Sequence, residues 1–599
     1  NGCPRQCFHE DPDLKNNNQL VYTGVSLAAM LAFGQVTQAA PLILGGNQTI
    51  STDTTVESVV VGNSGTGPTG GDGSLTVNNG ATLINSGNGT FIGNIGGVNP
   101  QRGHGYIGLN AGSAGVATIT GANSLWQNQN HIHVGFNGQG TLNIADGGKV
   151  TSTQGYLGHN VGSTGIAIVT GTDSLWQNSS LLNVGNFGQG TLIVQDGGKV
   201  SSAGNSIGYY AGSTGSVTVT GAGSLWESSA GLSVNRGTLN IENGGKVTNT
   251  GGSISGFTGS SATSGIVTVT GQNSLWQNST TLHVSGTLNV QDGGKVTNTN
   301  GYIGVGNNHT GIATVTGSNS LWQNSGTLNV GGAGGQATLN IENGGKVTST
   351  NGFIGYSNNQ TTGIATVTGA NSRWENSGQL FIGGSTSPAG GSGSGSLIIN
   401  DGGTVSATRG VTIVSTSSLS GNGGTLDGDV INHGLISLGS SSGAGGLAIT
   451  GDLSSDGTLA FDIFGPTVYD QLFIGGDFTI DGLLTLDFSS FLQPVADTFY
   501  DLIHVGGNIT GTWGNFDDIQ FLNTFTGFNP GLLAYSIVDS GISGYGQTLR
   551  LTVAGIGDTG NPGEPGDNTV PEPASGLLIG LGGLAMLMLR RRSPRISLA

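Results

Sequence analysis

The segment GTDSLWQN, residues 171 to 178, returns along this chain at a nearly constant interval. Its tryptophan stands at Trp126, Trp176, Trp226, Trp276, Trp322 and, in the variant NSRWEN, Trp374, with successive differences of 50, 50, 50, 46 and 52 residues. Of the 7 tryptophans, Trp513 alone lies outside the series. No other property constrains the fold as strongly, because self-similar units of roughly 20–50 residues build arrays in which each unit packs on its neighbours.

A second period lies inside the first. Laying residues 156–179 over 183–202 aligns Gly165 with Gly190, Thr170 with Gln195 and Leu175 with Val200, each 25 residues apart. Each half holds three short alternating runs, such as IAIVT and TLIVQ, separated by Gly, Asn and Ser turns, which is the signature of brief half-buried strands. Three strands in about 25 residues match one turn of a right-handed parallel β-helix, where stacked coils close a continuous core of Val, Ile and Leu. The stretch from Tyr106 to Val405 then holds about 12 coils.

Glycine supplies 116 of the 599 residues, without the every-third register of collagen, and only 8% are charged. The net charge of −17 argues against a nucleic-acid partner, which needs a basic stripe. Cys3 and Cys7 are the two cysteines, so the repeats contain neither a disulfide framework nor a cysteine metal site.

Both ends read as addresses. Residues 20–36 are an apolar run followed by TQAAP, with Thr37 and Ala39 at the small-residue positions of a signal-peptidase site, predicting cleavage after Ala39. The preceding segment carries Glu10, Asp11 and Asp13, where a leader is normally basic; an initiator at Leu14 would give a short leader with Lys15 as its charge. At the other end, Ala574–Leu589 is an apolar stretch at the short limit for a membrane helix, closed by Arg590, Arg591 and Arg592. The arginines would hold that end in the cytoplasm and leave the body outside.

Pro571, Glu572 and Pro573, then the apolar helix, then the arginine cluster resemble in fixed order the PEP-CTERM sorting signal. That resemblance implies recognition and processing by an exosortase, a membrane-embedded cysteine enzyme of Gram-negative bacteria. The phrases VTGxxSLWQNS, LNVGxxGxGTLNI and DGGKV, over residues 74 to 405, resemble repeats of autotransporter passenger domains and PEP-CTERM proteins, implying a surface-exposed β-helix. Residues 415–434 and 469–488 are similar to passenger-terminal segments, while nothing after residue 555 resembles a strand-rich membrane barrel.

The resulting expectation is an all-β chain: a signal region over 1–39, a lead-in or cap over 40–73, the β-helix repeats over 74–410, a passenger-terminal-like β cap over 411–556, a Gly/Pro linker over 557–569, and the sorting signal with one transmembrane helix over 570–599.

If Leu175 points inward like Val200, strand alternation sends Trp176 outward, and stacking lines the six tryptophans along one side. Such a stripe serves either to staple coils or to stack on sugar rings of an extracellular polysaccharide. Lys149, Lys199, Lys246, Lys295 and Lys346 each follow a Gly-Gly pair, and Asp146, Asp196, Glu242, Asp292 and Glu342 precede it, so acid and base are expected to alternate beside the turn. His131 and His133 share a strand face, but no third ligand is evident, so a solvated face is expected and no metal or other cofactor. GGTLDGD, from Gly423 to Asp429, reads as a turn, since a calcium-binding glycine-rich site needs stacked copies.

The functional expectation is a secreted, non-enzymatic surface or matrix protein engaged in adhesion within a biofilm, with signal peptidase and exosortase as processing partners. The competing reading is a polysaccharide-degrading enzyme on the same scaffold, which a singular cluster of carboxylates would favour over the repeated acids.

Overall fold

The computed structural model describes residues 40–553 except 64–70, 88–97, 99, 256–263, 358–360, 385–392, 440–442, 489–497, 512–518 and 524–532. The expected signal site at Thr37 and Ala39, Trp513, the linker and the sorting signal with its helix lie outside the described residues. Those that are described form an all-β parallel solenoid of about 16 coils, dividing into two compact units at Ser420/Gly421.

In the first unit every coil contributes one strand to each of three faces. One coil supplies Gly155–Leu157, Thr164–Thr170 and Leu175–Asn178 to the first, second and third faces; the next supplies Leu181–Val184, Gln189–Gln195 and Lys199–Ser202. Strand Thr164–Thr170 alternates half-exposed with buried positions, so Gly165, Ala167 and Val169 face inward while Thr164, Ile166, Ile168 and Thr170 face out. Neighbouring coils pair in parallel: Gly165 opposes Gly190 and Thr170 opposes Gln195, the expected 25-residue register. From Ala114 to Ala407 the second and third faces each contain twelve strands, as the repeat count predicts. Parallel pairing begins earlier, with Leu42–Leu44 against Val59–Val61 and these against Gly105–Ile107.

The turns explain the repeated small residues. After each of the twelve second-face strands between Ala114 and Asn400 the chain reverses through a positive-φ residue: Asp173 at φ 67° in the tryptophan coil, Asp196 at φ 53° in the lysine coil. Asp and Asn tolerate αL because their short polar side chains bond locally. Thr170 Oγ1 donates to Asp196 Oδ2 at 3.0 Å, and Ser174 Oγ accepts the Gly147 N–H of the preceding coil at 3.0 Å. Gly148 must lack a side chain, since a Cβ there would meet the Ile119 carbonyl oxygen at 2.3 Å. GGK and DSLW are thus two halves of one stacked corner.

The described part of the second unit stacks parallel strands in the same manner, with Gly446–Ile449 against Gln471–Ile474 and Leu472 opposite Ile503. It also contains antiparallel pairing, of Gln547–Val553 with both Phe499–Val505 and Leu533–Asp539. GGTLDGD forms a strand end and turn in which Asp429 Oδ1 accepts the Asp452 N–H at 3.0 Å. The same role recurs at Asp452 for Asp477 and at Asp477 for Asn508, both at 2.7 Å.

Candidate functional site

The third face departs from expectation by one residue. Trp176 opposes Val150 and Val200, while Leu175 opposes Lys149 and Lys199. The cause is turn length: Thr170 and Leu175 are separated by four residues, GTDS, whereas Gln195 and Lys199 are separated by three, DGG. A slip of one residue exchanges the two faces of a strand, so the tryptophans point inward. Trp126, Trp176, Trp276, Trp322 and Trp374 are 0% exposed and Trp226 is 1% exposed. The expected outward stripe is therefore absent, and these rings present no surface to a glycan.

The interior that receives them follows a two-coil rule. A coil whose third face carries Trp carries Gly on its first face, at Gly105, Gly155, Gly252, Gly301 and Gly352; a coil with Val carries Ile132, Leu182, Leu232, Leu282, Leu328 or Leu380 there. A Cβ at Gly155 would lie 2.8 Å from Trp176 Cζ2 and 2.8 Å from Leu182 Cδ1. Asn205 takes the glycine's place in the Trp226 coil. Ring nitrogens reach back one coil: Trp276 Nε1 donates to Asn249 Oδ1 and Trp322 Nε1 to Asn298 Oδ1, both at 2.7 Å, and Trp374 Nε1 to Ser349 Oγ at 3.2 Å. The Nε1 groups of Trp176 and Trp226 are buried without a partner.

With the rings inside, the third face turns its polar positions outward. Gln127, Thr151, Gln177, Ser201, Glu227, Thr248, Gln277, Thr297, Gln323, Thr348, Glu375 and Ser406 form one in-register row, alternating a long amide or acid with a hydroxyl. At its last coils, the row members Thr348, Glu375 and Ser406, with Asn324, Asn376 and Thr408, help line a polar depression of about 400 Å³. Glu375 is the one acid in its lining, and it is paired with Lys346 at 2.8 Å.

That pair joins one lysine of the expected charge ladder to an acid of the outward row. The lysine bonds to the next coil's strand rather than to the turn acid Glu342. The turn acids do not share one position either: in the ENGG turns Asn243 and Asn343 take the αL site, at φ 52° and 53°, leaving Glu242 and Glu342 at strand ends. Acids outside any such series occur in the second unit, where Asp462 opposes Asp487 in register. Burial and then the Asp487 charge raise the Asp462 carboxyl. Asp470 is fully buried and pushed up to about 7 by burial, while its oxygens accept the Gly445 and Asp462 N–H groups at 2.6 and 2.9 Å.

The histidines diverge most from expectation. His131 opposes His104 of the preceding coil, because Ile132 pairs with Gly105, and His133 follows two residues later on the same face. Ligand nitrogens of His104, His131 and His133 all lie within 4.8 Å of one another. The third ligand absent from the sequence reading is thus His104, one coil upstream; its signal was the separation of 27 residues from His131. Nor is the face solvated throughout: Tyr106 and Tyr156 stack on His133 at 5.0 and 5.1 Å between ring centroids, and Phe136 and His159 close its edge. Burial, then His131 and His159, lowers His104 to about 3; burial, then His131, lowers His159 to about 4. Burial likewise lowers His131, and burial followed by the other three imidazoles drives His133 well below the usual range.

No curated protein matches the chain. Among solved structures it is similar to a TibC-catalysed hyper-glycosylated TibA55-350 fragment, at 20% identity and a TM-score of 0.35, over 56% of this chain and 98% of that one. Residues 569–592 match the model of the PEP-CTERM protein-sorting motif, which takes in Pro571, Glu572 and Pro573 and the cluster from Arg590 to Arg592. Such a motif implies processing by an exosortase and indicates a secreted, membrane-processed surface protein of Gram-negative bacteria.

Proposed function

We propose that the solenoid is a non-enzymatic adhesive or matrix element whose third face holds extracellular polysaccharide in a biofilm. The observation that carries this reading is the outward row from Gln127 to Ser406, in which Gln or Glu recurs every second coil, about 9.6 Å apart at the usual strand spacing. Amides and hydroxyls in fixed register offer the hydrogen bonds that sugar hydroxyls take, and many weak contacts along one polymer act multivalently. Binding is thereby reassigned from the tryptophans, which support the row from within, to the side chains between them.

The test is retention of the purified protein on immobilised neutral polysaccharides: dextran, cellulose and xylan. Gln177→Ala, Glu227→Ala and Gln277→Ala combined should weaken retention while leaving the melting temperature in place, since all three side chains are exposed. Unchanged retention in the triple variant, or none in the parent, removes the reading.

The juxtaposed Asp462 and Asp487 favour the competing enzymatic reading, because paired carboxylates are what glycoside hydrolysis uses. Release of reducing ends from the same polysaccharides by the parent protein, abolished by Asp462→Asn, would establish it in place of the adhesive one.

A further inference from the structure

The cluster of His104, His131 and His133 has no part in a polysaccharide-binding face, and its composition is unlike that of the rest of the surface. The outward row of the third face, by contrast, is built of hydroxyls, amides and the carboxylates of Glu227 and Glu375. Here two adjacent coils place three imidazoles together, two of them buried, inside a wall made by Tyr106, Phe136, Tyr156 and His159. Stacking is what gathers them: a parallel solenoid sets residue n over its partner one coil away, so His131 lands on His104 with ring centroids 4.6 Å apart.

One of the three pairs is already spaced as in a coordination shell. His104 Nδ1 and His133 Nε2 are 3.3 Å apart. Two nitrogens bound to one tetrahedral zinc at about 2.0–2.1 Å are separated by about 3.3–3.4 Å. His131 stands at the half-exposed rim, where a rotamer change moves its ring without disturbing the core. His133 is 4% exposed, so its Nε2 faces His104 Nδ1 away from bulk water.

We propose that His104, His131 and His133 form a site for a divalent transition-metal ion of the zinc class, with three imidazole ligands and a fourth position open towards solvent at the His131 rim. Three neutral nitrogens and no thiolate suit zinc, copper or nickel over calcium or magnesium, which take oxygen ligands. The aromatic wall limits water around the ion. A metal there ties the first-face strands of two successive coils by side-chain bonds, in addition to their backbone ladder.

The test uses the untagged full-length protein, stripped with EDTA and dialysed, then titrated with CoCl₂ and, in competition, ZnCl₂. One equivalent of Co²⁺ should bind with the visible d–d absorption of a tetrahedral nitrogen site, and Zn²⁺ should bleach it and raise the melting temperature. His131→Ala, which removes only the rim ligand, should weaken binding at least about tenfold, the scale on which even supporting residues of a metal site act. His133→Phe, which keeps a ring in the aromatic stack, should abolish the visible bands while circular dichroism remains that of a β protein. His283→Ala, changing a histidine on a different coil, should leave the titration as in the parent. Absence of saturable Co²⁺ or Zn²⁺ binding, or binding that survives both His131→Ala and His133→Phe, overturns the proposal; failure of polysaccharide retention leaves it standing.

Discussion

At the scale of single residues, six tryptophans occupy equivalent sites with unequal partners. Removing the indole of Trp276 leaves Asn249 Oδ1 buried without its donor, whereas Trp176 Nε1 has no partner to lose. Trp276→Phe should therefore lower stability by about 1–3 kcal/mol more than Trp176→Phe, the price of orphaning a buried polar atom. Denaturation midpoints of the two variants measure the difference. The burial of these rings was readable only in part. Their period gave the coil, but the side of the strand depended on whether the turn before it holds three or four residues. The parallel between KVTS and LWQN, which sets Val over Trp, carried that information; the mere spacing of Leu175 and Val200 did not. The clustering of histidines was hidden for a related reason: His104 and His131 are remote in sequence and adjacent only once the coil length at that point is known.

At the scale of elements, the corners decide the register, and one of them departs from its equivalents. Asn123, Asp173, Asn273, Asn319 and Asn371 hold φ between 65° and 68° ahead of the tryptophan strands, while the Trp226 coil has Gly223 there at φ 85°. A Cβ at Gly223 would meet Gly197 Cα at 3.5 Å, an ordinary contact. Because Asn tolerates a positive φ better than a β-branched residue, Gly223→Asn should melt at a higher temperature than Gly223→Val. Equal melting temperatures for the two variants would show that the corner is held differently in that coil. Strand existence, face assignment on the second face and the twelve-coil count were legible because strict alternation of Thr with Val or Ile leaves one choice of inward side. The antiparallel pairing of Gln547–Val553 in the second unit was not, since it rests on contacts between segments with no repeat to align.

At the scale of the whole molecule, acid sensitivity and sorting both follow from where charge is refused or required. His504 is buried against Phe473 and Thr548, and burial lowers it to about 4, with Asp501 opposing the shift and Arg550 adding to it. The unfolded chain binds that proton near pH 6.5 and the folded chain only near 4, so stability present above pH 6.5 is lost as pH falls towards 4. Asp470 runs the other way: raised to about 7, its contribution is present below pH 3.8 and lost as pH rises through 7. The melting temperature of His504→Gln should consequently fall less between pH 7 and 4 than that of the parent. For sorting, Pro571→Ala with Glu572→Ala should permit export across the inner membrane yet leave the precursor with its tail attached, as an immunoblot of membrane and released fractions would show; normal release would contradict exosortase processing. The pairing of glycine with tryptophan and of leucine with valine has a consequence for how such a chain changes length over generations. Excising residues 155–204 brings Asn205 to the place of Gly155 and preserves the alternation, while excising 155–181 sets Leu182 directly over Ile132 and Val200 over Val150, with no indole between them. Recombination between copies can therefore lengthen or trim this array only by an even number of turns, and parity of the coil count is a heritable trait of the molecule.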